Sequence, residues 1–249
     1  MPKPAALPAT EIEPGLFLRG FSPPLRLGDF KLVAFDMDST LINIECVDEI
    51  AAAVGRKAEV AAITEAAMRG EISNFGDSLY RRLALLRGVP LSALQAVWDT
   101  RLELNPGVDS FVRACQAAGL KTLLVSGGFT FFSDRLRQRL GLDLARANEL
   151  ALLPGADGQG PCLSGGLVPQ AWGELVDGAE KRRTLLEVAS LMGIPAAQTI
   201  AVGDGANDLP MMDAAGLSIA FHAKPAVAAQ AMLSIASGGL DRALSLLRP

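Results

Sequence analysis

The chain has 249 residues, half of them hydrophobic and a fifth charged, which is the balance of a folded globular protein. A formal charge of -4 and an aromatic content of 5% give neither an electrostatic pull toward nucleic acid nor a platform for stacking bases. No apolar run approaches the roughly 20 residues of a membrane span, and the three cysteines, Cys46, Cys115 and Cys162, lack CxxC spacing and fit a reducing compartment. A cytoplasmic protein with no nucleic-acid or membrane partner is therefore expected. The single histidine, His222, reads as structural and removes any mechanism that needs several histidines.

Residues 1–30 are rich in proline and glycine and read as an extended lead-in. The first strong element is Lys31-Leu-Val-Ala-Phe35, an apolar run of the kind buried on both faces of a parallel sheet. It ends abruptly in Asp36-Met-Asp-Ser-Thr40. From about Val47 to Leu104 the periodicity is helical throughout: Val47, Ile50, Ala51 and Val54, then Val60, Ile63 and Ala67, then Leu79, Leu83 and Leu86. Pro106 opens a further helix carrying Val108, Phe111, Val112 and Cys115, and Gly119 closes it. Thr122-Leu-Leu-Val125 is a second buried strand, ending in Ser126-Gly-Gly128. Pro161–Val168 carries hairpin-like turn signals and reads as a small flap. Lys181 opens a helix that runs to Met192, and a third strand, Thr199-Ile-Ala-Val202, ends in Gly203-Asp-Gly-Ala-Asn-Asp208. Alternating strands and helices imply a parallel sheet with helices on both faces, and ligands bind at the carboxyl ends of such strands. The helical stretch after the first strand would overhang that edge.

Four carboxylates converge on the edge: Asp36 and Asp38 from the first loop, Asp204 and Asp208 from the third. Their mutual repulsion calls for a cation, and an all-oxygen donor set favours a hard one such as magnesium. Asp36 and Asp38 are expected on opposite sides of the backbone, so that only one presents its carboxylate to ligand and metal together while the other offers its carbonyl. Ser126-Gly-Gly128, which alone would be an ordinary turn, supplies a hydroxyl and N–H groups ahead of a helix, suited to an anionic oxygen. Lys181 adds a compact positive charge. Metal-bound carboxylate, hydroxyl, backbone donors and lysine together describe a phosphoryl-transfer site. A carboxylate is the natural nucleophile, because Asp36 is already ionised near its ordinary pKa of about 4 and needs no histidine base.

Asp36-Met-Asp-Ser-Thr40, Ser126-Gly-Gly128, Lys181 and Gly203-Asp-Gly-Ala-Asn-Asp208 resemble, in order, the four motifs of the haloacid dehalogenase-like phosphatases. The longer stretches Asp38–Glu45, Met68-Arg-Gly70, Ser126–Phe129 and Val202–Met211 are similar to the branch that hydrolyses phosphoserine at the end of serine biosynthesis. The resemblance runs from about Lys31 to the C-terminus. It implies an α/β fold with a Rossmann-like core at 31–46 and 105–249 and a helical cap at 47–104. It implies Asp36 as nucleophile and Asp38 as general acid and base. Mg2+ would be held by Asp36, the Asp38 carbonyl and Asp204, with Asp208 supporting through water. Ser126, Gly127 and Lys181 would hold the phosphoryl oxygens beside Asn207. Phosphoserine also carries an ammonium and a carboxylate. Glu45 resembles the family's acid for the first. Arg82, counted from the cap aromatic Phe75, resembles the arginine for the second, with Arg81 one register away.

Three other readings are weaker. A related cap-bearing phosphatase for another small substrate would lack Glu45 and Arg82 in its pocket. A phospho-accepting receiver domain has no helical insertion and nothing like Asp38. Dinucleotide binding would need a third glycine after Gly203-Asp-Gly205. Many bacterial relatives carry an N-terminal amino-acid-binding domain, and with some thirty residues before the first strand no feedback by serine through such a domain is expected.

Overall fold

The computed structural model of the chain describes residues 8–69, 71, 72, 74–155 and 160–248. Residues 1–7 of the lead-in, Gly70 and the Met68 side chain lie outside the described residues, so the Met68-Arg-Gly70 match has no structural counterpart here.

The lead-in is more than an extended segment. Thr10–Glu13 (β1) and Leu16–Leu18 (β2) form an antiparallel pair joined to the edge of the main sheet, and Leu25–Arg26 (β3) begins a small separate pairing. The strand signal is hard to read because β2 is three residues long, with Leu16 and Leu18 buried on either side of Phe17. Leu32–Phe35 (β4) follows and lies at the centre of the sheet. Its side chains alternate between two apolar layers: Val33 and Phe35 pack with Phe111, Leu124 and Val202, whereas Leu32 and Ala34 pack with Val125, Leu185 and Ala201. Burial on both faces explains the unbroken apolar run.

Four helices come next: Cys46–Ala53 (α1), Lys57–Met68 (α2), Phe75–Leu85 (α3) and Leu91–Thr100 (α4). The Asn74 side chain caps α3 by accepting from the Asp77 N–H at 2.8 Å. Asn105 ties the end of this helical stretch back to its beginning, its amide donating to the carbonyls of Ser39, Thr40 and Ile42 at 3.1, 2.9 and 2.9 Å.

The chain then alternates. Val108–Ala117 (α5) leads to Lys121–Phe129 (β5), Thr130–Leu140 (α6) and Leu144–Leu153 (β6). Cys162–Val168 (β7) pairs antiparallel with β6, so the flap is one arm of a ribbon and not a hairpin of its own. Gly178–Leu191 (α7), Thr199–Gly203 (β8), Leu209–Ala214 (α8), Leu217–Phe221 (β9), Pro225–Ala228 (α9), Leu233–Ile235 (β10) and Leu247–Arg248 (β11) complete the fold. Lys181 is therefore the fourth residue of its helix, one turn beyond the Asp177 cap, rather than the first. The main sheet runs β1-β2-β10-β9-β8-β4-β5-β6-β7, parallel from β10 to β6, and β11 pairs with β3. The expected α/β architecture is present. Strands β9 and β10 extend it beyond the three strands that the sequence marks. Among the described residues, no helix is long and apolar enough to cross a membrane.

Candidate active site

The parallel pairing fixes where the polar loops end up. Phe35 lies opposite both Leu124 and Val202, so the residues after β4, β5 and β8 emerge side by side at one edge. The Asp36 N–H donates to Val202 O at 3.0 Å, which continues the ladder one residue into the loop. The chain then turns sharply, the N–H groups of Thr40, Leu41 and Ile42 all donating to Met37 O. A cavity of about 750 Å³ opens above this edge, and Asp36, Asp38, Glu45, Phe75, Arg82, Ser126, Gly127, Asp204 and Asn207 are among its lining residues. Both carboxylates of the first doublet thus face one cavity. The expected split to opposite sides does not occur. Residues two apart in an extended segment share a face, and it is the intervening Met37 that is buried away from it.

Asp36 is held through one of its two oxygens. Its Oδ1 accepts from the Met37 N–H and from Lys181 Nζ, each at 2.7 Å, and among the described residues no donor occupies Oδ2. Lys181 is fully buried and bridges Asp36 to Asp208 Oδ1, also at 2.7 Å. Asp208 uses its other oxygen on the N–H groups of Asp204 and Gly205, at 3.1 and 3.0 Å. Lys181 does not line the cavity: it sits beneath Asp36. Burial alone would strip its proton, but Asp208 and Asp36 outweigh that and hold it above the usual lysine range.

The acids at this edge are short of positive charge. Burial and then Asp208 raise the Asp36 carboxyl, with Lys181 opposing. Burial, Asp208 and Glu45 push Asp204 up to about 7, although the Thr40 hydroxyl donates to it at 3.1 Å. Burial and Glu45 push Asp38 to about 7 as well, and its Oδ1 is buried without a hydrogen-bond partner among the described residues. One oxygen each from Asp36, Asp204 and Asp208 lie within 4.8 Å of one another. An all-carboxylate cluster of this kind, short of positive charge, fits a hard divalent cation.

The Ser126 side of the cavity is built largely from backbone. The buried Ser126 hydroxyl accepts from the Gly128 N–H at 2.9 Å. A Cβ on Gly127 would meet the Phe75 ring at 2.8 Å, so glycine lets the helical layer close down on this loop. Asn148 holds the Gly127 carbonyl with its amide at 2.8 Å and accepts from the Val176 N–H. Glu45 precedes α1 and accepts from the Ser39 hydroxyl at 2.7 Å. Arg82 lines the cavity, whereas its neighbour Arg81 is exposed and paired with Asp77 at 3.0 Å. Asp48, Thr64, Asp177 and Lys224 also line the cavity, and sequence reasoning passed over them. Asn148 was missed too, although a buried amide inside an otherwise strand-like run was a signal.

The chain matches the family model for haloacid dehalogenase-like hydrolases over residues 30–216, and it belongs to that family. It is 62% identical over 240 residues to the phosphoserine phosphatase of Albidiferax ferrireducens, covering 96% of this chain and 99% of the relative. Two solved phosphoserine phosphatase structures, one holding an analogue of the phospho-aspartyl intermediate and one substrate-bound, superpose with a TM-score of 0.77 at 36% identity, covering 88% of this chain and 99% of theirs.

Proposed function

We propose that this protein is a phosphatase that hydrolyses O-phospho-L-serine to L-serine and phosphate through a phosphoaspartate on Asp36. The observation that carries the reading is one cavity that joins Asp36, Asp38 and Asp204 to Glu45 and Arg82. The 62% identity to a phosphoserine phosphatase over nearly the whole chain supports it independently.

Asp36 is oriented for attack because Oδ1 is held by two donors, which leaves Oδ2 for phosphorus. From below, Lys181 favours the ionised nucleophile against burial and the Asp208 charge, which raise its carboxyl. Asp38, which holds a proton up to about pH 7, gives that proton to the departing serine oxygen and then takes one from the water that cleaves the acyl phosphate. Asp36, the Asp38 carbonyl and Asp204 would hold Mg2+, with Asp208 behind them because both of its oxygens are already engaged. The bound cation supplies charge neutralisation for the acids and for the phosphoryl oxygens. Ser126, Gly127 and Asn207 complete the cradle for those oxygens. Glu45 takes the substrate ammonium and Arg82 its carboxylate.

On the same basis, 31–46 with 105–249 form the catalytic core and 47–104 a cap that closes over it. A cytoplasmic setting belongs to the same proposal and accords with cysteines that are all free. The test is phosphate release from a panel of phosphomonoesters. Phosphoserine is expected to lead in kcat/KM, and chelator is expected to abolish turnover. Equal rates across the panel would overturn the substrate assignment, and full activity in chelator would overturn the metal.

A further inference from the structure

Asp48 occupies the first turn of α1, where an acid ordinarily needs no explanation beyond the helix dipole. Its surroundings are not ordinary. It lines the cavity, yet its Oδ1 is withdrawn from water and has no hydrogen-bond partner among the described residues. A buried orphan oxygen on a carboxylate is costly unless a charged group faces it. Arg82, on α3, lines the same cavity and is the cation that acts most on Asp48, although the two are not joined by an ion pair among the described residues. It is partly buried, and among the described residues its one hydrogen bond, from Nε to Ser78 O at 3.3 Å, leaves its terminal nitrogens uncommitted. Of the cations that act on Asp48, Arg82 outweighs Lys57, and of the acids that act on Arg82, Asp48 outweighs Glu45 and Asp38.

We propose that Asp48 is a positioning residue that orients the Arg82 guanidinium toward the carboxylate of the substrate. A guanidinium has five donors in a planar fork, enough to address one protein carboxylate and one ligand carboxylate together. Glu45 is already bonded to Ser39 and lies on the ammonium side, so the two acids have separate tasks. The inference rests on the assignment of Arg82 to the substrate carboxylate.

The experiment compares phosphoserine with phosphoethanolamine, which keeps the ammonium and lacks the carboxylate, using wild type, Asp48→Asn, Arg82→Ala and the double variant. Where phosphoethanolamine turns over slowly, it is assayed as a competitive inhibitor. Asp48→Asn is expected to raise KM for phosphoserine roughly tenfold, within the range of coupled neighbours, with little change in kcat. Its affinity for phosphoethanolamine should stay at the wild-type value. Arg82→Ala is expected to erase the preference between the two, and adding Asp48→Asn should cost nothing further. If Arg82→Ala keeps the preference, the Arg82 assignment fails and the inference fails with it. If Arg82→Ala erases the preference while Asp48→Asn preserves it, only the inference is overturned. An equal loss on both substrates, or additive losses in the double variant, would mean that Asp48 merely supports the fold. Asp48→Glu, which keeps the charge, is expected to restore part of the preference, and no restoration would count against orientation by charge.

Discussion

The two ends of the cavity are built on different principles. Below, the Asp36–Lys181–Asp208 bridge is buried, closed by 2.7 Å contacts and anchored to the loops after the adjacent strands β4 and β8 and to α7. Above, Glu45, Asp48 and Arg82 come from helices outside the sheet and make few fixed bonds, Glu45 one to Ser39 and Arg82 one to Ser78. Groups that must be aligned with phosphorus throughout the reaction are pre-set, whereas groups that recognise the rest of the substrate are left with donors and acceptors to spare.

Substitutions should separate the two ends by size of effect and by the kinetic constant they change. Asp36→Asn removes the proposed nucleophile while keeping its shape, and a fall in kcat of at least about ten-thousandfold is expected with the thermal transition retained. Lys181→Met leaves two buried carboxylates facing each other. A destabilisation of about 3–5 kcal/mol in denaturant unfolding is expected along with near-complete loss of turnover. A variant with native stability would show that the bridge is dispensable.

Asp38→Asn should cost roughly a hundredfold or more and alter the pH profile. Because burial and Glu45 lift Asp38 to about 7, wild-type kcat/KM is expected to decline as pH rises through that region and the acid loses its proton. The variant should lack that limb. A further expectation concerns stability. Carboxylates raised in the fold hold protons more tightly than in the unfolded chain, so they destabilise the metal-free protein most above about pH 7, and relief grows as pH falls toward the ordinary carboxylate range. Protons and magnesium compete for the same oxygens. The rise in Tm on adding magnesium should therefore be larger at pH 8 than at pH 6. The smallest effect belongs to Arg81→Ala, an exposed pair with Asp77, which should change stability by less than about 1 kcal/mol and leave selectivity unaltered.

How much of this was legible in sequence follows the same division. The acid doublets stand out because each follows a strand whose side chains are apolar on both faces, so the change to polar residues is abrupt. Lys181 could be named but not placed: a helical lysine reads as solvated, and only the packing of α7 beside the Asp208 loop shows that it lies under Asp36. Asp48, Asp177 and Lys224 had no comparable contrast, since acids and lysines at helix starts and in loops are common for reasons of capping and solubility, and Thr64 inside α2 reads as an ordinary helical residue. Arg81 and Arg82 are adjacent in sequence, and only the rotation of α3 turns one into the cavity and the other to solvent. Strands β1 and β2 escaped notice because two short segments cannot establish a period, and β10, the other partner of β2, lies more than two hundred residues away.

The most direct measurement is rapid acid quenching of enzyme mixed with phosphoserine and magnesium, followed by peptide mass spectrometry. A phosphoryl group labile to hydroxylamine is expected on the peptide containing Asp36, and it should be missing from Asp36→Asn. A turning-over enzyme that carried the group on another residue, or on none throughout the time course, would contradict covalent catalysis by Asp36.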